Sequence, residues 1–353
     1  MQPATCRAWV LTRRPDKSKV GGMKTAQLAS LTREVAVAIR SETALPSGRR
    51  RLQQICTPDP LDGFRQLERP SKDTSDLTRR IDSWAERLFL NDNRIREALG
   101  PFVTVSEERG VLYYPDDFQP EKGRTFTLLM LDPVDNTELV IRRLGGAVSA
   151  CIASGQLSPD GHLERADLVA VAVADVSGGE VFFTGVDCSG PGVSNGNGEE
   201  RCLKRQYREG GDVSLSAVLV KASRFRALAS RLANLELPGG RPTRFFLHHG
   251  GPLPLCRVAA GDLDLAFDLE VGYKAMDYAP GLWIAAASGC AWQVLDEQGE
   301  LLGGFDPTRL RIPEGKDLES QLLGFLKQRT RFAVAHSPEL LDQALCEFQN
   351  PKY

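Results

Sequence analysis

The stretch Leu129–Thr137, L-M-L-D-P-V-D-N-T, constrains this chain more than any other. The apolar run Phe126–Leu131 has the length and composition of a buried strand, and the Asp-Pro step at Asp132-Pro133 punctuates its end. Two carboxylates, Asp132 and Asp135, therefore emerge at a strand's carboxyl edge, where α/β sheets present their ligands. Pro133 stiffens the backbone between them, so both converge on one point. Adjacent carboxylates are costly to ionise together unless a cation sits between them. Hard oxygen donors with few thiolates or imidazoles nearby point to Mg²⁺ rather than zinc. Read alone, the same D-x-x-D is better explained as the cap of a helix starting near Asn136. The company it keeps decides between the two.

Three other segments carry acidic residues of the same kind. V-S-E-E-R, Val105–Arg109, follows the short apolar run Phe102–Val105, which puts Glu107 and Glu108 at a second strand end. D-L-T-R-R-I-D-S-W-A-E falls in a long predicted helix, Thr78–Leu99, with Asp82 and Glu86 on one face at i, i+4. Salt bridges to Arg79, Arg87 or Arg94 are the plain alternative for that pair. C-R-V-A-A-G-D-L-D-L-A-F is followed by K-A-M-D-Y-A-P-G-L-W-I-A-A-A-S-G-C, which places Asp277 at or near the start of an apolar helix, Tyr278–Gly289, with Pro280 in its first turn.

In this order the segments resemble the inositol monophosphatase family of Mg²⁺-dependent phosphomonoesterases. D-P-V-D-N-T is similar to its D-P-I-D-G-T signature, V-S-E-E-R to its G-E-E segment, the Asp82 stretch to its T-x-x-D-x-x-x-E helix, and the Asp277 stretch to its W-D-x-A-A-G helix. The resemblance covers the chain from about Lys72 to the C-terminus. It implies an α+β fold, the layered α-β-α-β-α sandwich of the sugar phosphatases, shared with fructose-1,6-bisphosphatases and bisphosphate nucleotidases. It implies two or three Mg²⁺ held by Glu107, Asp132, Asp135, Asp277 and the carbonyl of Val134, with Asp132 bridging two of them. Thr137 and Asp82, with Glu107, would position and deprotonate a water for in-line attack on phosphorus, and the N–H groups of Asn136 and Thr137 would bind phosphate oxygens.

Further positions follow from the same resemblance. Gly250 and Gly251, in H-H-G-G-P, stand where the family has a G-S-A-A segment that contacts substrate. A metal role for His248-His249 is disfavoured because adjacent side chains diverge. Asp268 and Glu270 flank the place of a hydroxyl-binding Glu, and Glu270 is carried over. Lys72 resembles a loop lysine near the phosphate, in a loop that is longer here. Two positions depart from the pattern: Asn136 replaces Gly, and Met276 replaces Trp. Asn is the residue next most tolerant of positive φ, so the turn survives and the phosphate pocket narrows.

The expected activity is hydrolysis of a small polyol or sugar phosphate. A 3′(2′),5′-bisphosphate nucleotidase is the second reading, from Ala222-Ser223-Arg224, which resembles S-R-S-H without its His. A catalytically silent binding or scaffold protein with the same fold is the reading from another class, favoured by Asn136 and the altered H-H-G-G-P. The expected partner is a small phosphorylated metabolite, and a homodimer is implied by the family alone.

Composition bounds these readings. With 353 residues, 42% hydrophobic and 25% charged, the chain reads as an ordinary soluble protein with room for two subdomains, 23–210 carrying the metal site and 211–353 completing it. A net charge of −2 argues against nucleic acid, and no apolar stretch reaches membrane-spanning length. Eight scattered Cys without a C-x-x-C pair read as reduced, mostly buried thiols of a cytoplasmic compartment. Met1–Gly22 reads as a tail or an over-long start before Met23, with an organellar targeting segment as the other reading. Elsewhere a first helix is expected over Thr25–Ser41, a hairpin with its turn at Val176–Gly179, a turn at Asn195–Gly198, and a last helix capped by Ser337 with Pro338 at its first position.

Overall fold

The computed structural model describes residues 24–67, 79–204, 213–217, 243–247, 251–296 and 301–349. The expectations for residues 1–22, Lys72, Ala222–Arg224, His248-His249 and Gly250 lie outside these.

The fold is built on strands that bury both faces. In β4 (Thr125–Asp135), Phe126, Leu128 and Met130 enter one core while Leu129, Leu131 and Val134 enter another. Side chains alternate across a strand, so an unbroken apolar run requires cover on both sides. The same division recurs in β5 (Ala147–Leu157) and β6 (Leu163–Asp175), where Cys151 and Val171 face the first core and Ile152 and Ala172 the second. With β1 (Arg65–Gln66), β2 (Phe102–Ser106), β3 (Gly110–Tyr114), β7 (Val181–Gly185), β8 (Gly192–Ser194) and β9 (Glu200–Cys202), they form a nine-stranded sheet in the order β1-β3-β2-β4-β5-β6-β7-β8-β9.

Helix α1 (Thr25–Ala44) and helix α3 (Arg80–Leu90) cover one face of this sheet through Leu28, Val35, Ile39, Ile81 and Phe89. A short α2 (Pro46–Leu52) lies between them in sequence, in a stretch whose composition reads as loop. The other face meets α6 (Leu253–Ala260) and α7 (Ala275–Ala287), whose Leu255, Met276, Leu282 and Ile284 share one core with Leu128 and Met130. A second sheet, in the order β11-β10-β12-β14-β13, packs beyond them. It comprises β10 (Val213–Ala217), β11 (Thr243–Leu247), β12 (Leu265–Tyr273), β13 (Ala291–Leu295) and β14 (Thr330–Ala335). On its far side Leu340, Leu341 and Ala344 of α9 (Pro338–Gln349) pack on Phe267 and Ala333. The layers therefore read α-β-α-β-α, as expected. Helices α4 (Asn93–Leu99), α5 (Thr137–Arg142) and α8 (Leu318–Gly324) complete the described elements.

Several local expectations need correction. The helix expected over Thr78–Leu99 is two helices, because Asp92 ends the first and caps the second by accepting from the Arg94 N–H at 2.8 Å. Strand β4 does not stop at Asp132. It runs through Asp-Pro to Asp135 as a bulge, pairing Asp132 with Ser149 and Asp135 with Ala147, so the missing N–H of Pro133 falls where the ladder is broken. Pro280 lies in the second turn of α7, not the first. It leaves the Met276 carbonyl without its helical donor, and Ser149 Oγ supplies one at 3.3 Å. Of the seven described cysteines, Cys151, Cys256 and Cys290 are buried, so "mostly buried" does not hold. The hairpin between β6 and β7, the turn between β8 and β9, and the Ser337 cap, whose Oγ accepts from the Leu340 N–H at 3.3 Å, form as expected. Among the described residues no helix is long and apolar enough to cross a membrane.

Candidate active site

Two parallel strands set the site. β2 runs parallel to β4 with Ser106 opposite Leu131, so Glu107, just past the end of β2, comes beside Asp132, which stays paired with β5 as β4 enters its bulge. Asp277 arrives from the other direction, in the first turn of α7. Its Oδ2 accepts the Lys274 N–H at 3.0 Å, the contact an N3 carboxylate makes back to the N-cap backbone, which fixes it at the helix start. Ligand oxygens of Glu107, Asp132 and Asp277 all lie within 4.8 Å of one another. The second oxygen of Asp277, Oδ1, is sealed from solvent and has no hydrogen-bond partner.

The electrostatics follow from this crowding. Burial pushes Asp132 well above the usual carboxylate range, and Asp135, Glu107 and Asp277 push it further. Burial likewise raises Asp277 to about 7, with Glu107 adding to the shift. Asp135 is raised by burial, then by Asp277 and Glu107. Three carboxylates this close cannot all ionise cheaply without a cation. The orphaned Asp277 oxygen and an all-carboxylate donor set fit a hard divalent ion.

Asp135 and Val134, expected beside these ligands, lie on the β4 bulge just after Asp132 and make contacts of their own within the turn. Asp135 Oδ2 accepts from Asn136 Nδ2 at 2.7 Å, and Thr137 Oγ1, whose one proton goes to Asp82, lies 3.1 Å from the carbonyl oxygen of Val134. Gly251 closes on Asp135 directly: a Cβ built there would lie 2.0 Å from Asp135 Oδ2, and its φ is +86°. Only a glycine fits such an approach. Asn136 adopts φ 63° and ψ 48°, the left-handed conformation expected of it, and opens α5.

Thr137 and Asp82 meet. Thr137 Oγ1 donates to Asp82 Oδ1 at 2.8 Å, while Asp82 Oδ2 accepts the Arg79 N–H at 3.0 Å. Asp82 is buried at the first turn of α3, and burial, with Glu108 beside it, raises it well above the ordinary range. Glu86, one turn on, is not part of this group. It is fully enclosed, pairs with Arg109 Nε at 2.5 Å and accepts from Ser106 Oγ, and burial lifts it to about 7 against the pull of Arg109. Glu270 lies on β12, and Asp268 on the same strand is buried.

Sequence reasoning missed Lys274, whose ammonium lies 2.7 Å from Glu107 Oε1. Its place three residues before Asp277, at the cap of the helix, was the available signal. It also missed the ion pair between Arg79 and Glu138, which ties the start of α3 to the residue after Thr137.

Known structures share this architecture. Mycobacterium tuberculosis SuhB superposes with a TM-score of 0.54 at 20% identity, over 92% of this chain and 97% of that one. Leishmania major fructose-1,6-bisphosphatase in holo form gives 0.58 at 12% identity, over 92% and 94%. An inositol monophosphatase from Anabaena gives 0.51 at 14% identity, over 92% and 97%. This chain has the inositol monophosphatase fold. At these identities the likeness is one of fold. No family model and no curated protein sequence matches the chain. Within the inositol monophosphatase fold, the carboxylate cluster stands at the carboxyl ends of β2 and β4, against the start of α7.

Proposed function

We propose that this chain is a Mg²⁺-dependent phosphomonoesterase acting on a small polyol or sugar phosphate. One observation carries the reading: Glu107, Asp132 and Asp277 converge within 4.8 Å beside the Thr137–Asp82 pair. A phosphate monoester is an anion that repels nucleophiles, so its hydrolysis needs positive charge and an oriented water. A divalent ion bound by Glu107, Asp132 and Asp277 supplies the charge and acidifies water. Asp135 and the Val134 carbonyl border the same edge and would supply further oxygen donors to a second ion.

The chain's own groups orient and deprotonate. Thr137 Oγ1 gives its proton to the hydrogen bond with Asp82, which leaves the hydroxyl oxygen to accept from a water. Asp82, raised by burial, is a stronger base than an exposed aspartate and takes the proton passed through Thr137. The backbone N–H groups of Asn136 and Thr137, at the start of α5, would bind the ester's oxygens, and Gly251 lets its turn close on Asp135.

The test is phosphate release from inositol monophosphates, fructose 1,6-bisphosphate, adenosine bisphosphates and histidinol phosphate, with and without Mg²⁺. Mg²⁺-dependent release from a polyol or sugar phosphate supports the reading. Preference for an adenosine bisphosphate moves the chain to the nucleotidase branch. Metal binding with no release from any ester marks a silent binding protein, the reading Asn136 favours.

A further inference from the structure

Lys274 touches the carboxylate cluster twice, by independent groups. Its backbone N–H donates to Asp277 Oδ2 at 3.0 Å, and its Nζ lies 2.7 Å from Glu107 Oε1. The side chain is only 12% exposed, so the ammonium is held inward against the cluster. The first contact belongs to the helix cap and stays wherever the side chain goes. The second is made at the end of a flexible four-carbon stem carrying a compact point charge. An ammonium and a divalent ion are both hard cations drawn to the same carboxylate. Glu107 cannot serve both at full strength.

We propose that Lys274 is a tethered cation, holding Glu107 in the metal-free protein and leaving it when a divalent ion binds. This rests on the metal-site reading above and adds a competitor built into the chain. Without Lys274, Glu107, Asp132 and Asp277 would face one another with less compensation, and the metal-free cluster would be driven apart. With it, metal binding must first break a charge-assisted contact, so affinity is set below what the carboxylates alone would give.

The experiment is calorimetric titration of the full chain with Mg²⁺ and Mn²⁺, comparing wild type with Lys274→Met and Lys274→Arg. Lys274→Met should bind metal roughly tenfold tighter, the scale of one charge-assisted contact removed from competition. Its melting temperature should drop in chelator and return to the wild-type value at saturating metal, while Lys274→Arg, which keeps the charge, stays near wild type in chelator. Equal or weaker metal affinity in Lys274→Met overturns the proposal. If that variant does not fold without metal, amine labelling of the wild type read by mass spectrometry decides. Saturating Mg²⁺ should raise labelling of Lys274 relative to the exposed Lys122, and unchanged or reduced labelling overturns the proposal. A wild type that binds no divalent ion removes the metal-site reading itself, a result distinct from metal binding that ignores Lys274.

Discussion

Thr137 Oγ1 donates to Asp82 Oδ1 at 2.8 Å, joining α5 to α3 across 55 positions of sequence. The backbone of Arg79 holds the other oxygen of Asp82 at 3.0 Å, and the Arg79 side chain pairs with Glu138, the neighbour of Thr137. The two residues assigned to the water's proton are thus fixed from both ends.

Thr137→Val keeps the side-chain shape and removes the hydroxyl. It should lower kcat by about 10²–10⁴-fold, the range for a lost proton-transfer group, and leave Mg²⁺ affinity unchanged. Thr137→Ser should retain most activity. Steady-state kinetics beside calorimetric titration checks this, and a Thr137→Val enzyme at wild-type kcat would remove Thr137 from the chemistry.

Gly251→Ala puts a Cβ about 2 Å from Asp135 Oδ2 at a backbone φ of +86°. Either the Asp135 carboxylate or the turn must shift. We expect destabilisation of about 1–3 kcal/mol by denaturant melts, as for other overpacked sites, together with weaker metal binding. A variant with unchanged stability and metal affinity would show that the approach is loose in solution.

Glu86 and Arg109 form an enclosed ion pair, both 0% exposed. Arg109→Met leaves a buried carboxylate without its partner and should cost about 3–5 kcal/mol of folding stability. The double variant Glu86→Leu/Arg109→Met should recover much of that loss. A single variant as stable as wild type would mean that Glu86 folds protonated and needs no partner.

Asp277 is raised from 3.8 to about 7, so the metal-free native state binds a proton that the unfolded chain releases. Stability from this group is full below the unfolded value and is lost as pH rises through about 7. In chelator, the wild-type melting temperature should therefore fall between pH 5 and 8 more steeply than that of Asp277→Asn. Saturating Mg²⁺ should reduce the difference. Parallel pH profiles for the two proteins would contradict the shift.

Much of this was legible in the chain. The run Phe126–Leu131 announced a strand covered on both faces, and the short run before Glu107 announced a neighbour ending at the same edge. Parallel pairing of β2 and β4 then brings Glu107 beside Asp132, which local sequence alone does not specify. Asn136 announced its left-handed turn because few other residues adopt one.

The rest depended on partners far away in sequence. Pro280 sits inside a helix because Ser149, on another layer, satisfies the carbonyl it leaves open. Asp-Pro fails to end β4 because β5 tolerates a bulge there. Lys274 reads as an ordinary helix-start lysine until Glu107, 167 positions away, arrives against it. Side-chain partners across layers leave no periodic signature, which is why the local pattern gave the strands and helices but not their contacts.

The most direct measurement is phosphate release by wild type and Asp132→Asn in Mg²⁺, in chelator, and after Mg²⁺ is restored. The expected result is release that stops in chelator, returns with Mg²⁺, and is absent from Asp132→Asn at every step, with the variant still folded. Release that persists in chelator, or that survives in Asp132→Asn, would contradict a metal centre at this cluster.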